Sequence, residues 1–72
     1  MVNTQLLDKK IELSGLYIKH IIEQLGISRN GFDKKRKGKT PFRTAEIYVL
    51  CDLLHLNEED KRNIFFADKV EL

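Results

Sequence analysis

The stretch Tyr17-Ile18-Lys19-His20-Ile21-Ile22-Glu23-Gln24-Leu25-Gly26-Ile27-Ser28-Arg29-Asn30-Gly31-Phe32-Asp33-Lys34-Lys35-Arg36-Lys37-Gly38 decides the fold. Ile18, Ile21, Ile22 and Leu25 recur at i, i+3, i+4 and i+7, the spacing of an amphipathic helix with one side to bury. Gly26 follows directly, where a left-handed residue ends a helix at little cost. Ser28 then stands where its hydroxyl can cap the free N–H groups of a new helix. One helix stops and a second starts within about three residues, which is the local pattern of a helix-turn-helix. In that arrangement the second helix can stand proud of the domain and enter the major groove of DNA.

The totals limit what surrounds this unit. Seventy-two residues make one small domain, spanning 1–72, able to bury roughly 60 % of its unfolded surface. With 42 % hydrophobic and 33 % charged residues, one Pro and four Gly, the composition is that of a globular chain rather than a disordered one. No apolar run approaches the roughly 18 residues of a membrane span, and Met1-Val2-Asn3-Thr4 lacks the layout of a signal peptide, so a cytoplasmic location in a bacterial cell is expected. A single cysteine, Cys51, excludes an internal disulfide, and with His20 and His55 it makes no zinc-ligand spacing, so neither metal nor other cofactor is expected.

Outward from the central stretch, the same signals repeat. Asn3 or Thr4 can cap a first helix over about 4–14, with Leu6, Leu7, Ile11 and Leu13 as its apolar side and Gly15 as its end. The second and third helices cover about 17–25 and 28–37, and Lys39-Thr40-Pro41-Phe42 reads as a loop because Pro41 disfavours helix at Thr40. Thr44 is a suitable cap for a fourth helix over about 44–55, where Ile47, Leu50, Cys51 and Leu54 restate the helical spacing. Asn57 caps a fifth over about 57–67, with Glu58, Glu59 and Asp60 against the positive end of its dipole and Ile64, Phe65 and Phe66 returning it to the core. The tail 68–72 is unassigned. The fold expected is an all-α five-helix bundle.

Charge is unevenly distributed. From Arg29 to Arg43 seven basic residues (Arg29, Lys34, Lys35, Arg36, Lys37, Lys39, Arg43) face one acid, Asp33, so this window carries +6 and the rest of the +2 chain carries −4. Positive charge gathered on and after one helix is the footprint of a polyanion binder. The plainer reading, that these side chains merely keep a short helix in solution, loses ground because of the turn that precedes them.

The residues Leu25-Gly26-Ile27-Ser28-Arg29, then Phe32, Gly38-Lys39-Thr40-Pro41-Phe42 and Ala45-Glu46-Ile47, resemble the Cro/CI-type helix-turn-helix family, above all the small Cro-like regulators of temperate phages of Gram-positive bacteria. The resemblance runs from about Leu7 to Ala67 and includes Leu56-Asn57-Glu58-Glu59-Asp60 and Ile64-Phe65-Phe66-Ala67. It implies a lambda-repressor-like five-helix domain that regulates transcription in a lysis/lysogeny switch by placing its third helix on double-stranded operator DNA. The chain is also similar in length and character to the modulator-of-repression proteins, anti-repressors that bind the cognate phage repressor. Two features depart from the family pattern: Ile22 and Ile18 replace a small residue and a glutamine, and Lys35, Arg36 and Lys37 fill a region that is usually apolar. The third helix is then expected to be anchored chiefly by Ile27 and Phe32.

Carried over from the resemblance, base reading, or contact with a protein partner, falls to Arg29, Asn30, Asp33 and Lys34. Arg can donate two parallel hydrogen bonds to guanine, Asn can pair with adenine, and Asp can accept from cytosine. Lys19, Lys37, Lys39, Thr40 and Arg43 are placed for phosphates, which position a domain without specifying sequence. Two residues are poor choices for a DNA reader: Asp33 repels phosphates, and Gly31 costs its helix roughly 1 kcal/mol relative to Ala. Gly31 also leaves a bare patch that another protein could approach, which favours the anti-repressor alternative. A homodimer is admitted by the resemblance, with Val70 and Leu72 as candidate contacts. Catalysis is not expected: Ser14, Ser28 and Cys51 have no His and carboxylate spaced to activate them.

Overall fold

The computed structural model describes residues 2–66, and among them every regular element is a helix. There are five: α1 (Thr4–Ser14), α2 (Ile18–Leu25), α3 (Arg29–Arg36), α4 (Thr44–Leu54) and α5 (Glu58–Phe65). The all-α five-helix bundle expected from the sequence is the fold found. The last residue of the expected fifth helix and the tail with Val70 and Leu72 lie outside the described residues.

The helix boundaries follow from local chemistry. The Asn3 side chain accepts from the Leu6 N–H and that of Ser28 from the Gly31 N–H, each satisfying a donor the helix itself cannot. Asn57 and Asp60 cap each other reciprocally at the start of α5. Gly26 closes α2 at φ 72°, and its N–H donates to the Ile22 carbonyl. The fourth helix differs from expectation. Arg43, in extended conformation, is the cap position, and Thr44 is already helical. Arg43 has no side-chain acceptor, so the cap is one-sided: the Glu46 carboxylate reaches back to the Arg43 N–H at 2.8 Å.

Burial comes from all five helices. Leu7, Ile11, Ile21, Phe32, Leu50, Leu54, Ile64 and Phe65 form the core, and Phe42 joins them from the connection between α3 and α4. Phe42 is its hinge. It meets Phe32 edge-on at 6.3 Å between ring centroids and Phe65 at 5.4 Å, linking α3 to α5 through a residue that the sequence places only in a loop. Ile18, Ile22, Leu25 and Ile27 pack against this core as the helical spacing predicts. Two apolar residues do not follow expectation: Leu13 is 70 % exposed and Phe66 37 %. Leu13 sits in the last turn of α1, and Phe66, just past α5, lines a shallow cleft with Thr44, Ile47 and Tyr48 of α4.

Candidate nucleic-acid interface

The third helix is held by one side. Phe32 has no exposed surface, and Ile27, just before the helix, packs on the same core, but they are not the chief anchors alone, since Lys35 and Arg36 also tie α3 to α4 and α1. Residues 29, 30, 33, 34 and 37 share the opposite stripe by their i, i+1, i+4, i+5 and i+8 spacing. Arg29, Asn30, Lys34 and Lys37 are exposed, and Asp33 is half-buried. Lys39, Thr40 and Arg43 continue this exposed set beyond the helix, and Lys19 is exposed on α2. The segment after α3 stays attached to it, because the Lys34 carbonyl accepts from the Lys39 N–H at 2.8 Å.

Not all seven basic residues of the 29–43 window look outward. The Lys35 ammonium lies 2.7 Å from both oxygens of Glu46, a carboxylate only 6 % exposed. Burial works to raise the Glu46 pKa, but the Arg43 N–H and the Lys35 ammonium outweigh it and hold the carboxyl below its ordinary value. Arg36 lies over the Phe32 ring at 5.8 Å and donates to Asp8 on α1 and to Asp33, each at 3.0 Å. Burial of this guanidinium opposes its charge, and the two carboxylates more than compensate, so its pKa is raised. Thr4 adds a bond from its hydroxyl to the Arg36 carbonyl at 2.7 Å, closing the last turn of α3 from the start of α1.

Lys35 meets the buried Glu46 carboxylate, and the largely buried Arg36 meets the more exposed Asp8 and Asp33, so both fasten α3 through paired charge. Sequence reasoning did not find Thr4, Asp8 or Glu46 because their partners lie 32, 28 and 11 residues away, beyond any local pattern.

Asp33 is engaged as well. Its Oδ1 accepts from Arg36 and lies 3.7 Å from Arg29 Nε. Gly31 is half-buried, and a Cβ built there would crowd the Ser28 hydroxyl at 3.2 Å. Ser14 Oγ donates to the Ile11 carbonyl, Ser28 Oγ caps α3, and burial pushes the half-buried Cys51 thiol up. Among the described residues no group of three or more His, Cys, Asp or Glu is placed to hold a metal ion, and no helix is long and apolar enough to cross a membrane. Comparison with known proteins adds no relative: no family model, curated protein or solved structure matches this chain.

Proposed function

We propose that this chain is a Cro-like transcriptional regulator of a phage lysis/lysogeny switch, acting in the bacterial cytoplasm by laying α3 in the major groove of operator DNA. The observation that carries this reading is the two-sidedness of α3: Phe32 is fully buried while Arg29, Asn30 and Lys34 stand exposed on the opposite stripe. Arg29 and Asn30 have the donor geometry for base edges. Lys19, Lys37, Lys39, Thr40 and Arg43, all exposed, are the phosphate contacts of this reading, which fix register on the duplex. The reading assigns the chain no catalysis and no cofactor.

Fluorescence anisotropy on the intergenic DNA next to the chain's own gene tests it. Tight, sequence-dependent binding is expected, with log affinity falling against log salt at a slope of about 0.9 per phosphate neutralised. Affinity that stays at the non-specific level of roughly 10⁻⁴ to 10⁻⁶ M for every duplex would overturn it.

A second reading uses the same face against a protein. The bare backbone at Gly31, beside the half-buried Asp33 carboxylate, offers a protein partner close approach and an acceptor where a phosphate would be repelled. On this reading the chain is an anti-repressor that covers the DNA-binding domain of the cognate CI-type repressor. Co-purification of the two chains, and release of operator DNA from the repressor on mixing, is the expected result. No complex at micromolar concentrations would exclude it.

A further inference from the structure

Four side chains run in a line from α1 to the tip of α3. Arg36 Nη1 is 3.0 Å from Asp8 Oδ1, Arg36 Nη2 is 3.0 Å from Asp33 Oδ1, and that same oxygen is 3.7 Å from Arg29 Nε. The inner end of this line is fixed. Arg36 lies over the Phe32 ring, and its carbonyl is held by Thr4. The outer end is free, since the Arg29 side chain is 63 % exposed.

We propose, resting on the operator-binding reading, that Asp33 reads no base itself and instead aligns Arg29 so that Arg29 reads a guanine. Asp33 faces Arg29 through Nε, the nitrogen nearest the stem, and this leaves both terminal nitrogens for the O6 and N7 acceptors of a guanine edge. An arginine on an exposed helix tip otherwise samples many rotamers, and a bidentate contact has to order them. A carboxylate held from behind by Arg36 does part of that ordering before DNA arrives.

The cluster is also electrically balanced, with two arginines and two aspartates. Its contribution is therefore to selectivity at one base pair, and the attraction to phosphates comes from the lysines around it. Asp33 is a positioning residue, and Arg29 is the group that touches DNA.

Selection of binding sites from a random duplex library, with the full chain and its Asp33→Asn variant, tests the proposal. Asparagine keeps the size and one acceptor but loses the charge that draws Arg29. The wild-type chain is expected to enrich sites with a guanine at one position. Asp33→Asn is expected to weaken that preference alone, by up to about 5-fold in relative affinity, the range of one exposed ion pair. Its salt slope and its preferences at other positions are expected to stay as in the wild type. Arg29→Ala, which has no donor for a base edge, is expected to lose the preference at the same position, and it carries the test should Asp33→Asn fail to fold.

An unchanged guanine preference in Asp33→Asn, or in Arg29→Ala, overturns the proposal. So does a uniform loss across all sequences, which would mark Asp33 as a helix-stabilising residue only. Failure of the wild-type chain to enrich any sequence is a different result: it removes the operator-binding reading, and this inference with it.

Discussion

The ammonium of Lys35 and the buried carboxylate of Glu46 meet at 2.7 Å, and this pair fastens the C-terminal half of α3 to the first turn of α4. The two partners are not equivalent. Lys35 can swing its long stem to water if Glu46 is neutralised, whereas Glu46 cannot leave its site. Lys35→Met is therefore expected to cost about 3 kcal/mol, near the lower end of the range for breaking a buried pair, because the lysine side chain is still 16 % exposed. Glu46→Gln keeps an acceptor for the Arg43 N–H and is expected to cost less, about 1–2 kcal/mol. Urea unfolding of both variants checks the order, and equal costs would contradict the asymmetry.

Acid should loosen the same joint. The Glu46 pKa is lower in the folded chain than its ordinary value of about 4.5, so its stabilisation is present above that pH and lost as pH falls through the folded value. Thermal melts from pH 7 down to pH 3 are expected to show a falling midpoint below about pH 4.5. Glu46→Gln is expected to flatten part of that fall. A wild-type and variant pair with parallel profiles would remove Glu46 from the explanation.

Phe42 contributes through shape. It makes edge-to-face contacts with both Phe32 and Phe65, and each such pair is worth about 0.5–1.5 kcal/mol beyond area burial. Phe42→Leu keeps most of the apolar volume and loses both contacts. The expected cost is about 1–3 kcal/mol, which at about 4–8 °C per kcal/mol for a domain of this size is readily seen by calorimetry.

Two left-handed residues make opposite predictions. Gly26 has φ 72° with nothing within 4 Å of an added Cβ, so Gly26→Ala meets no clash and carries only the backbone cost. That cost is about 1–2 kcal/mol, less a few tenths regained from a less flexible unfolded chain. His55 caps α4 at φ 55° without being glycine. His55→Gly is expected to be neutral or stabilising by up to about 1 kcal/mol, with chemical denaturation as the measurement for both. A loss of more than about 1 kcal/mol at His55→Gly would mean that the histidine side chain has an interaction of its own.

Cys51 is expected to be a slow thiol. Burial raises its pKa, so less thiolate is present near neutral pH than for a free cysteine. Reaction with a maleimide at pH 7.5 is expected to be slower in the native chain than in urea. Equal rates would show that the thiol is not protected.

The helices were legible because their causes are local. The i, i+3, i+4, i+7 stripe of Ile18, Ile21, Ile22 and Leu25, the glycine at 26 and the serine at 28 act within a turn or two of the chain, and α2, its turn and α3 lie where those residues put them. The same holds for Asn57 with Asp60. At α1, where two local options competed, Asn3 rather than Thr4 is the cap, and at α4 the expected cap Thr44 is already helical, because the Glu46 carboxylate caps the backbone N–H of Arg43 one residue earlier.

By itself, then, the sequence determined the number and order of the helices, the turn between α2 and α3, and which stripe of α3 is apolar. The tertiary structure decided how the charges divide. Seven basic residues look alike in the 29–43 window, yet Lys35 and Arg36 turn inward while Arg29, Lys34, Lys37, Lys39 and Arg43 are exposed. The reason is that Asp8 and Glu46 reach α3 only once α1 and α4 have packed, and a charge settles where its partner is.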